Sequence, residues 1–286
     1  MSSFVLAYNT NGLAHHDLID AIRLLADIGY QGISITLDHG ALNPFDKRLE
    51  SQLSEVAAAL QKHQMRCVIE TGSRFLLDPQ KKHEPTLVTA DPAGRARRVE
   101  FICRGIDIAA RLDADCVSLW SGIAHDGAGQ SEATSRLAGG LQPVLAYAAE
   151  KQVDLAFEPE PGMLIDSLAS YNQLLAELAA LKIDATRLRL TIDVGHLHCQ
   201  GELPIPEKIR QWAGRLANVH IEDMRSKVHE HLMFGEGEID FPPVIAALAE
   251  IRYDGLLSVE LSRHSHEGPA AAERALNFLR PLVARH

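Results

Sequence analysis

The chain has 286 residues, of which 46% are hydrophobic and 23% are charged, and its formal net charge is −10. This composition is ordinary for a folded globular protein and excludes a largely disordered chain. Proteins that bind duplex nucleic acid usually need a basic surface that replaces phosphate counterions, so the acidic balance argues against a nucleic-acid partner.

The location of the protein in the cell is predicted from the membrane-spanning and targeting segments that the sequence lacks. No stretch approaches the ~20 apolar residues that span a bilayer, so no membrane partner is expected. The apolar run from Phe4 to Tyr8 lacks the basic region and the long apolar segment of a signal peptide. The four cysteines form no C-x-x-C pair and fit reduced thiols. These observations predict a cytoplasmic protein.

Short apolar segments alternate with longer helical patterns along the chain. We predict strands, rich in Val, Ile and Leu, near residues 4–8, 32–37, 66–70, 115–120, 153–158, 188–193, 216–221 and 256–261. We predict helices over residues 17–28, 46–63, 91–111, 131–150, 166–180, 205–215, 240–250 and 268–284. Gly29 is the expected end of the first helix, and Asp91 with Pro92 the expected start of the third.

Strands that alternate with helices indicate βαβ units and a parallel sheet, and eight such units close into a barrel. A doubly wound open sheet is the alternative, but no G-x-G-x-x-G follows the first strand. We therefore predict an α/β fold with one (β/α)8 TIM-barrel domain over residues 1–286. The irregular stretch 71–90 is too long for an ordinary βα loop and is interpreted as an active-site flap, with a disordered insert as the alternative.

Polar side chains end four consecutive predicted strands, and in a TIM barrel these strand ends form the active site. Carboxylates that lie ~3–5 Å apart do not all ionise unless another charge compensates them, and a shared divalent cation does so. Three carboxylates and one imidazole suit one Mn²⁺, Mg²⁺ or Co²⁺ ion, and Zn²⁺ is also compatible. A structural ion pair at a strand end is the alternative for any one of them alone. The candidate metal ligands are Glu158, Asp193, His220 and Glu260.

The second half of the chain resembles the xylose-isomerase-like TIM-barrel superfamily of sugar isomerases and epimerases, and is similar to ketose 3-epimerases. The segments that carry the resemblance are FEPEPG (157–162), TIDVGHLH (191–198), NVHIED (218–223), HLMFGEGEIDF (231–241) and LLSVEL (256–261). The first half is similar in architecture, with GYQGISITL (29–37) close to the second-strand segment.

The resemblance implies roles for individual residues. It implies that the four strand-end residues bind the metal and that Glu158 and Glu260 also act as acid and base. It implies that His196 and Arg225 contact the substrate and that His231 occupies a family position before a glycine turn. It also implies a homodimer or homotetramer.

Two further residues are candidates for substrate binding because of the chemistry of their side chains rather than because of the resemblance. Glu160 can bind a substrate hydroxyl or support the metal ligands, with a solvated loop carboxylate as the alternative. Trp120 offers an apolar wall for one face of a sugar, with simple packing as the alternative. His196, His198 and Cys199 form an H-x-H-C run that can bind zinc, but we expect it to straddle the start of a loop.

The function that these residues indicate is a metal-dependent isomerase or epimerase of a sugar, polyol or related hydroxy-carbonyl compound. A cation bound to a carbonyl eases removal of a proton from the next carbon, and two glutamates can take and return that proton. The same groups could instead drive elimination, as in a dehydratase or lyase on a keto-inositol or keto-glycoside. A non-catalytic barrel that binds a metabolite is another alternative. Phosphodiester cleavage resembling endonuclease IV would need more histidine ligands and a basic face.

Overall fold

The architecture is that of a computed structural model, which describes residues 4–285; residues 1–3 and 286 of the predicted domain lie outside it. Parallel strands form a closed barrel in which each strand pairs with its neighbour along the barrel and the last strand pairs with the first. This confirms the predicted TIM barrel. The strands are β1 (Val5–Asn9), β2 (Gly32–Thr36), β3 (Arg66–Glu70), β4 (Val117–Leu119), β5 (Leu155–Phe157), β6 (Leu188–Asp193), β7 (Leu216–Ile221), the hairpin strands β8 (Asp223–Arg225) and β9 (Val228–Leu232), and the last barrel strand β10 (Leu256–Val259).

Helices follow the barrel strands and cover the outside of the sheet. They are α1 (Leu18–Ile28), α2 (Leu49–His63), α3 (Pro92–Leu112), α4 (Gln130–Lys151), α5 (Leu168–Ala180), α6 (Val194–Gln200), α7 (Ile205–Trp212), α8 (Phe241–Glu250) and α9 (Gly268–Val283). Gly29 ends α1 in the left-handed region, with φ of 112°. The Asp91 side chain accepts hydrogen bonds from the first amides of α3, where Pro92 is the first helical residue. Both helix boundaries agree with the prediction.

The apolar strands are buried between the barrel interior and the helices. Every residue of β2 is buried, including the polar Ser34, whose hydroxyl lies 2.6 Å from that of Ser258 in the last barrel strand. On the helical side, α1 buries Leu18, Ile22 and Leu25 on one face. Since burying one such side chain contributes ~1.5–3 kcal/mol, this extensive core fixes the strands and therefore the residues at their ends.

The structure differs from the prediction mainly after β6 and β7. Residues after Asp193 were expected to begin a loop, but they form the short helix α6, which the Asp193 side chain caps by accepting a hydrogen bond from the His196 amide. The hairpin β8–β9 was not predicted. The helix expected over 205–215 ends at Trp212 and continues as a 3-10 turn.

The segment 71–90 contains neither helix nor strand, as expected, yet it packs on the barrel. Leu76, Leu77, Leu87 and Val88 are buried. Leu87 lies against Gly140 of α4, where an added Cβ would meet Leu87 Cδ2 at 2.9 Å. Apolar contacts therefore hold this segment at one end of the barrel. Within residues 4–285, no helix is both long and apolar enough to cross a membrane.

Candidate metal centre and cavity

Four strand-end side chains converge at one end of the barrel. Glu158 directly follows β5, Asp193 ends β6, His220 lies in β7 and Glu260 directly follows β10. One ligand atom from each lies within 4.8 Å of the others. The structure therefore brings together the four residues expected to bind a metal ion, and an oxygen-rich group with one imidazole can hold a divalent cation.

His220 lies at the centre of this group and contacts carboxylates on both sides of its ring. Its Nδ1 is 3.1 Å from Glu158 Oε1 and 2.8 Å from Glu260 Oε2. Its Nε2 is 2.9 Å from Glu70 Oε1 at the end of β3. Burial opposes protonation, but the charges of Glu158, Glu70 and Glu260 outweigh burial and raise the pKa of His220 well above its ordinary value.

The two glutamates differ in their environment. Burial is the largest effect on Glu158 and raises its pKa to about 8, although His220 opposes the shift. Burial acts in the same sense on Glu260, but His220 outweighs it there and lowers the pKa of Glu260. The Asn11 side chain also donates a hydrogen bond to Glu260 Oε1 at 2.7 Å. The two carboxylates therefore lie in unlike electrostatic surroundings.

Asp193 carries the most enclosed carboxylate of the group. Its Oδ1 accepts the His196 amide at 2.8 Å, and the carboxylate also pairs with the Glu222 side chain. Burial opposes ionisation, but His196 and Glu222 lower the pKa of Asp193. Glu222 is fully buried, and burial together with Asp193 raises its pKa well above its ordinary value. Glu222 therefore brings a neutral carboxyl to Asp193.

A second group of potential ligands lies next to the first and consists of Glu160, His196 and His229. The His196 and His229 Nε2 atoms are 3.1 Å apart. His231 stacks edgewise against His229, with ring centroids 5.0 Å apart. Burial lowers the pKa of all three imidazoles, so they are neutral near pH 7 and retain a nitrogen lone pair.

Both groups border a cavity of about 480 Å³, a size typical of small-molecule sites. Trp120 forms part of its wall, where the His83 ring packs edgewise on it at 5.4 Å and the buried Arg98 guanidinium stacks on it at 4.5 Å. Three cationic side chains also line the cavity, namely Arg74, Lys82 and Arg263. The cavity thus combines an apolar wall, a carboxylate cluster and positive charge.

Some of the remaining candidate residues line the cavity and others do not. Trp120, Glu160 and His231 line the cavity. His196 is 4% exposed and does not line it, although it contacts His229, which does. Arg225 is exposed in β8 and is not among the lining residues, so its placement does not support the expected substrate contact.

Several site residues had no assigned role from sequence. Glu70 ends β3 and contacts His220. Glu222 lies in the segment NVHIED, but nothing in that segment indicates a buried neutral carboxyl. Arg263 follows β10 by four residues, and a charged residue in a loop gives no signal by itself.

A TIM barrel with a polar cavity and a cluster of carboxylates around one imidazole at its strand ends has the arrangement of a barrel enzyme. The family model for xylose isomerase-like TIM barrels matches residues 22–282, and the chain belongs to this family. The L-ribulose-5-phosphate 3-epimerase UlaE of Salmonella paratyphi C is 25% identical over 256 residues, which cover 88% of this chain and 85% of that protein.

Solved structures with the same fold include an L-ribulose 3-epimerase, with a TM-score of 0.77, 20% identity, and coverage of 99% of this chain and 95% of that one. A D-psicose 3-epimerase of Clostridium cellulolyticum H10 has a TM-score of 0.76 and 16% identity, with coverage of 98% and 99%. These structures share the fold, and the family match with the UlaE relative confirms the enzyme class expected from the sequence, an enzyme of the isomerase and epimerase type.

Proposed function

We propose that this chain is a divalent-metal-dependent epimerase or isomerase of a ketose, either free or phosphorylated. The observation that carries the proposal is the convergence of two glutamates, Glu158 and Glu260, on His220 beside Asp193. The names of the relatives support a ketose as substrate, since they are ketose or ketose-phosphate 3-epimerases.

The four residues fit a divalent cation. The buried carboxyl groups of Glu158 and Asp193 and the half-buried carboxyl of Glu260 face a single imidazole, a donor set that suits a hard divalent cation. Glu158, Asp193, His220 and Glu260 would hold the ion, and Mn²⁺, Mg²⁺ and Co²⁺ suit this donor set best, with Zn²⁺ also compatible. When bound, the cation would polarise the substrate carbonyl and acidify the neighbouring C–H bond.

The two glutamates would carry the proton. One takes it from the carbon next to the carbonyl, and the other returns a proton to that carbon from the opposite face, which inverts the centre. The geometry supports this division, because the two carboxylates come from the ends of β5 and β10 and approach His220 Nδ1 at 3.1 Å and 2.8 Å. Return of the proton to the neighbouring carbon would give isomerisation instead.

The cavity wall would position the substrate. Trp120 offers an apolar face to the sugar, while Glu160 and His231 offer hydrogen bonds to its hydroxyl groups. His196, which is buried behind His229, would act on the substrate through that residue rather than by direct contact. Arg74 and Lys82 belong to the segment 71–90, which we propose as a flap over the cavity. The cytoplasmic location and the homodimer or homotetramer expected from the sequence remain predictions.

Substitution of the two glutamates tests this function. We expect Glu158→Gln and Glu260→Gln each to lower epimerisation of ketoses or ketose phosphates ~10²–10⁴-fold, since each removes an acid–base group. Glu150→Gln, in the exposed part of α4, is the matched control and should retain full activity. Products are identified by chromatography and NMR across a panel of pentuloses and hexuloses with and without phosphate.

The same panel separates the alternatives. Loss of water or of an aglycone from a keto-inositol or keto-glycoside would assign a lyase. Tight ligand binding with no turnover by the wild type would assign a metabolite-binding barrel. Either result would reject the proposed epimerase.

A further inference from the structure

Arg98 carries a buried cation that lies outside the proposed metal centre. It belongs to α3, is 1% exposed and does not line the cavity, whereas its neighbour Arg97 is exposed. Its guanidinium donates hydrogen bonds to a hydroxyl and a carbonyl rather than to a carboxylate. Burial lowers the pKa of Arg98 to about 9, although the charge of Glu84 opposes the shift. Because a buried cation without a paired carboxylate lowers stability, its contacts point to a role beyond packing.

The guanidinium holds the first turn of the segment 71–90. Its Nη1 donates to Ser73 Oγ at 2.7 Å and its Nη2 donates to the Thr71 carbonyl oxygen at 2.7 Å. Ser73 and Arg74 have φ of 56° and 31°, in the left-handed region that residues other than glycine rarely adopt. Two charge-assisted hydrogen bonds therefore stabilise a turn that its own backbone disfavours. This turn determines the position of Arg74, whose side chain lines the cavity.

The same guanidinium lies against the apolar wall of the cavity. Its Cζ is 4.5 Å from the centre of the Trp120 ring, a distance at which a cation attracts an aromatic face. Trp120 directly follows β4 and lines the cavity. Arg98 does not line it, so it supports the ring from outside the cavity. One side chain thus joins the cavity wall to the start of the segment that we propose as a flap.

We propose that Arg98 is a positioning residue for substrate binding, which holds the Trp120 ring and the turn 71–74 in the arrangement that receives the sugar. This inference rests on the proposed function. A planar guanidinium suits the role because its edge donates two hydrogen bonds while its face stacks on the indole. The proposed acid–base groups follow β5 and β10, whereas the contacts of Arg98 lie after β3 and β4. Loss of Arg98 therefore weakens binding and leaves proton transfer unchanged.

Steady-state kinetics with the ketose or ketose phosphate that the wild type turns over test this division. We expect Arg98→Met to raise KM ~10-fold and to change kcat less than ~2-fold, because an interaction made equally with the bound substrate and the transition state affects KM alone. Arg98→Lys, which keeps the charge but not the planar fork, should give an intermediate KM. Arg97→Met changes an exposed arginine of the same helix and should keep both constants.

The fluorescence of Trp120 gives a measurement that needs no turnover. The chain has two tryptophans, so Trp212→Phe leaves Trp120 as the emitting residue. Trp120 is 8% exposed in the structure. In this background we expect Arg98→Met to raise the acrylamide quenching constant and to shift the emission to longer wavelength, because the indole is no longer held against the guanidinium. Arg98→Lys should restore both in part, and Arg97→Met should alter neither.

The two measurements separate this inference from the proposed function. The inference requires a raised KM together with raised quenching in Arg98→Met, and either value unchanged in the folded variant overturns it, even where urea unfolding shows lower stability. A fall in kcat at constant KM overturns it as well. If the wild type turns over no ketose, the proposed function fails, and the quenching comparison alone decides whether Arg98 positions Trp120. Where circular dichroism shows that Arg98→Met does not fold, Arg98→Lys is judged by the same criteria.

Discussion

His220 and Glu70 lie 2.9 Å apart across the barrel, with the imidazole Nε2 facing the glutamate carboxylate. The contact joins β7 to β3, which are not neighbours in the barrel. With Nε2–H donated to Glu70, the ring directs Nδ1 at Glu158 and Glu260. Glu70 therefore orients the imidazole that we propose as a metal ligand.

Removal of the Glu70 charge should weaken metal binding while leaving the fold intact. We expect Glu70→Gln to lower the affinity for Mn²⁺ or Co²⁺ ~10–100-fold, the usual effect of losing a carboxylate that orients a metal-binding histidine. Competition with a chelator of known affinity measures the change. An unaltered affinity in a folded variant would show that Glu70 does not orient His220.

Chelation should lower the stability of the protein in proportion to metal occupancy. A ligand at about 100 times its Kd that binds only the folded state contributes about 2.7 kcal/mol. Urea unfolding with and without saturating Mn²⁺ measures this increment. Asp193→Asn should lose most of it, because the ion then lacks one carboxylate. An increment of the same size in Asp193→Asn would place the stabilising ion elsewhere.

Gly195 should tolerate no side chain. An added Cβ would clash with Glu222 Oε1 and would meet Met224 Cε at 2.5 Å, and both side chains are buried. We expect Gly195→Ala to cost ~1–3 kcal/mol, the usual penalty for overpacking a core. It should also weaken metal binding, because the side chain of Asp193, a proposed ligand, caps α6.

Gly139 provides the matched control in another helix. It is exposed in α4, and no atom lies within 4 Å of an added Cβ. Gly139→Ala should therefore stabilise the protein by ~0.5–1 kcal/mol, since alanine favours a helix over glycine. Urea unfolding of both variants checks the pair, and equal effects of the two substitutions would contradict the packing described at Gly195.

His83 should make stability depend on pH. Burial lowers the pKa of His83 to about 4, although its hydrogen bond to the Gly72 carbonyl opposes the shift. The unfolded chain, with an ordinary pKa near ~6.5, binds the proton more readily. The stability due to neutral His83 is therefore complete above about pH 6.5 and is lost as the pH falls towards 4.

Comparison with His83→Gln isolates this contribution, because glutamine can still donate to the Gly72 carbonyl. We expect the urea midpoint of the wild type to fall more steeply between pH 7 and pH 5 than that of the variant. Parallel pH profiles would mean that His83 is protonated with equal ease in the folded and unfolded states.

The barrel and the convergence of four strand-end residues were predictable from sequence, because parallel strands buried on both faces give apolar runs and their ends meet at one side of the barrel. The hairpin β8–β9 was not. Its turn residues Ser226 and Lys227 adopt φ of 54° and 57°, positions usually marked by Asn and Gly. Because charged residues occur throughout 223–232, nothing in the sequence indicated a pair of strands. The position of His229 beside His196 therefore could not be predicted.

The role of Glu70 could not be predicted from the sequence for a different reason. Its contact with His220 spans 150 residues of sequence, and periodicity describes only local structure. A glutamate at the end of β3 predicts a residue at the barrel mouth, but its partner depends on the shape of the closed barrel. The same holds for Glu222, whose neutral state follows from complete burial beside Asp193.

Hydrogen exchange at the substrate carbon tests the central claim most directly. The metal-loaded enzyme is incubated in D₂O with the ketose that it turns over, and proton NMR follows the C–H signal next to the carbonyl. Proton removal and return by Glu158 and Glu260 requires that deuterium enter this position as the epimer forms, and that chelation abolish both events. Formation of the epimer with the original hydrogen still at that carbon would contradict the account.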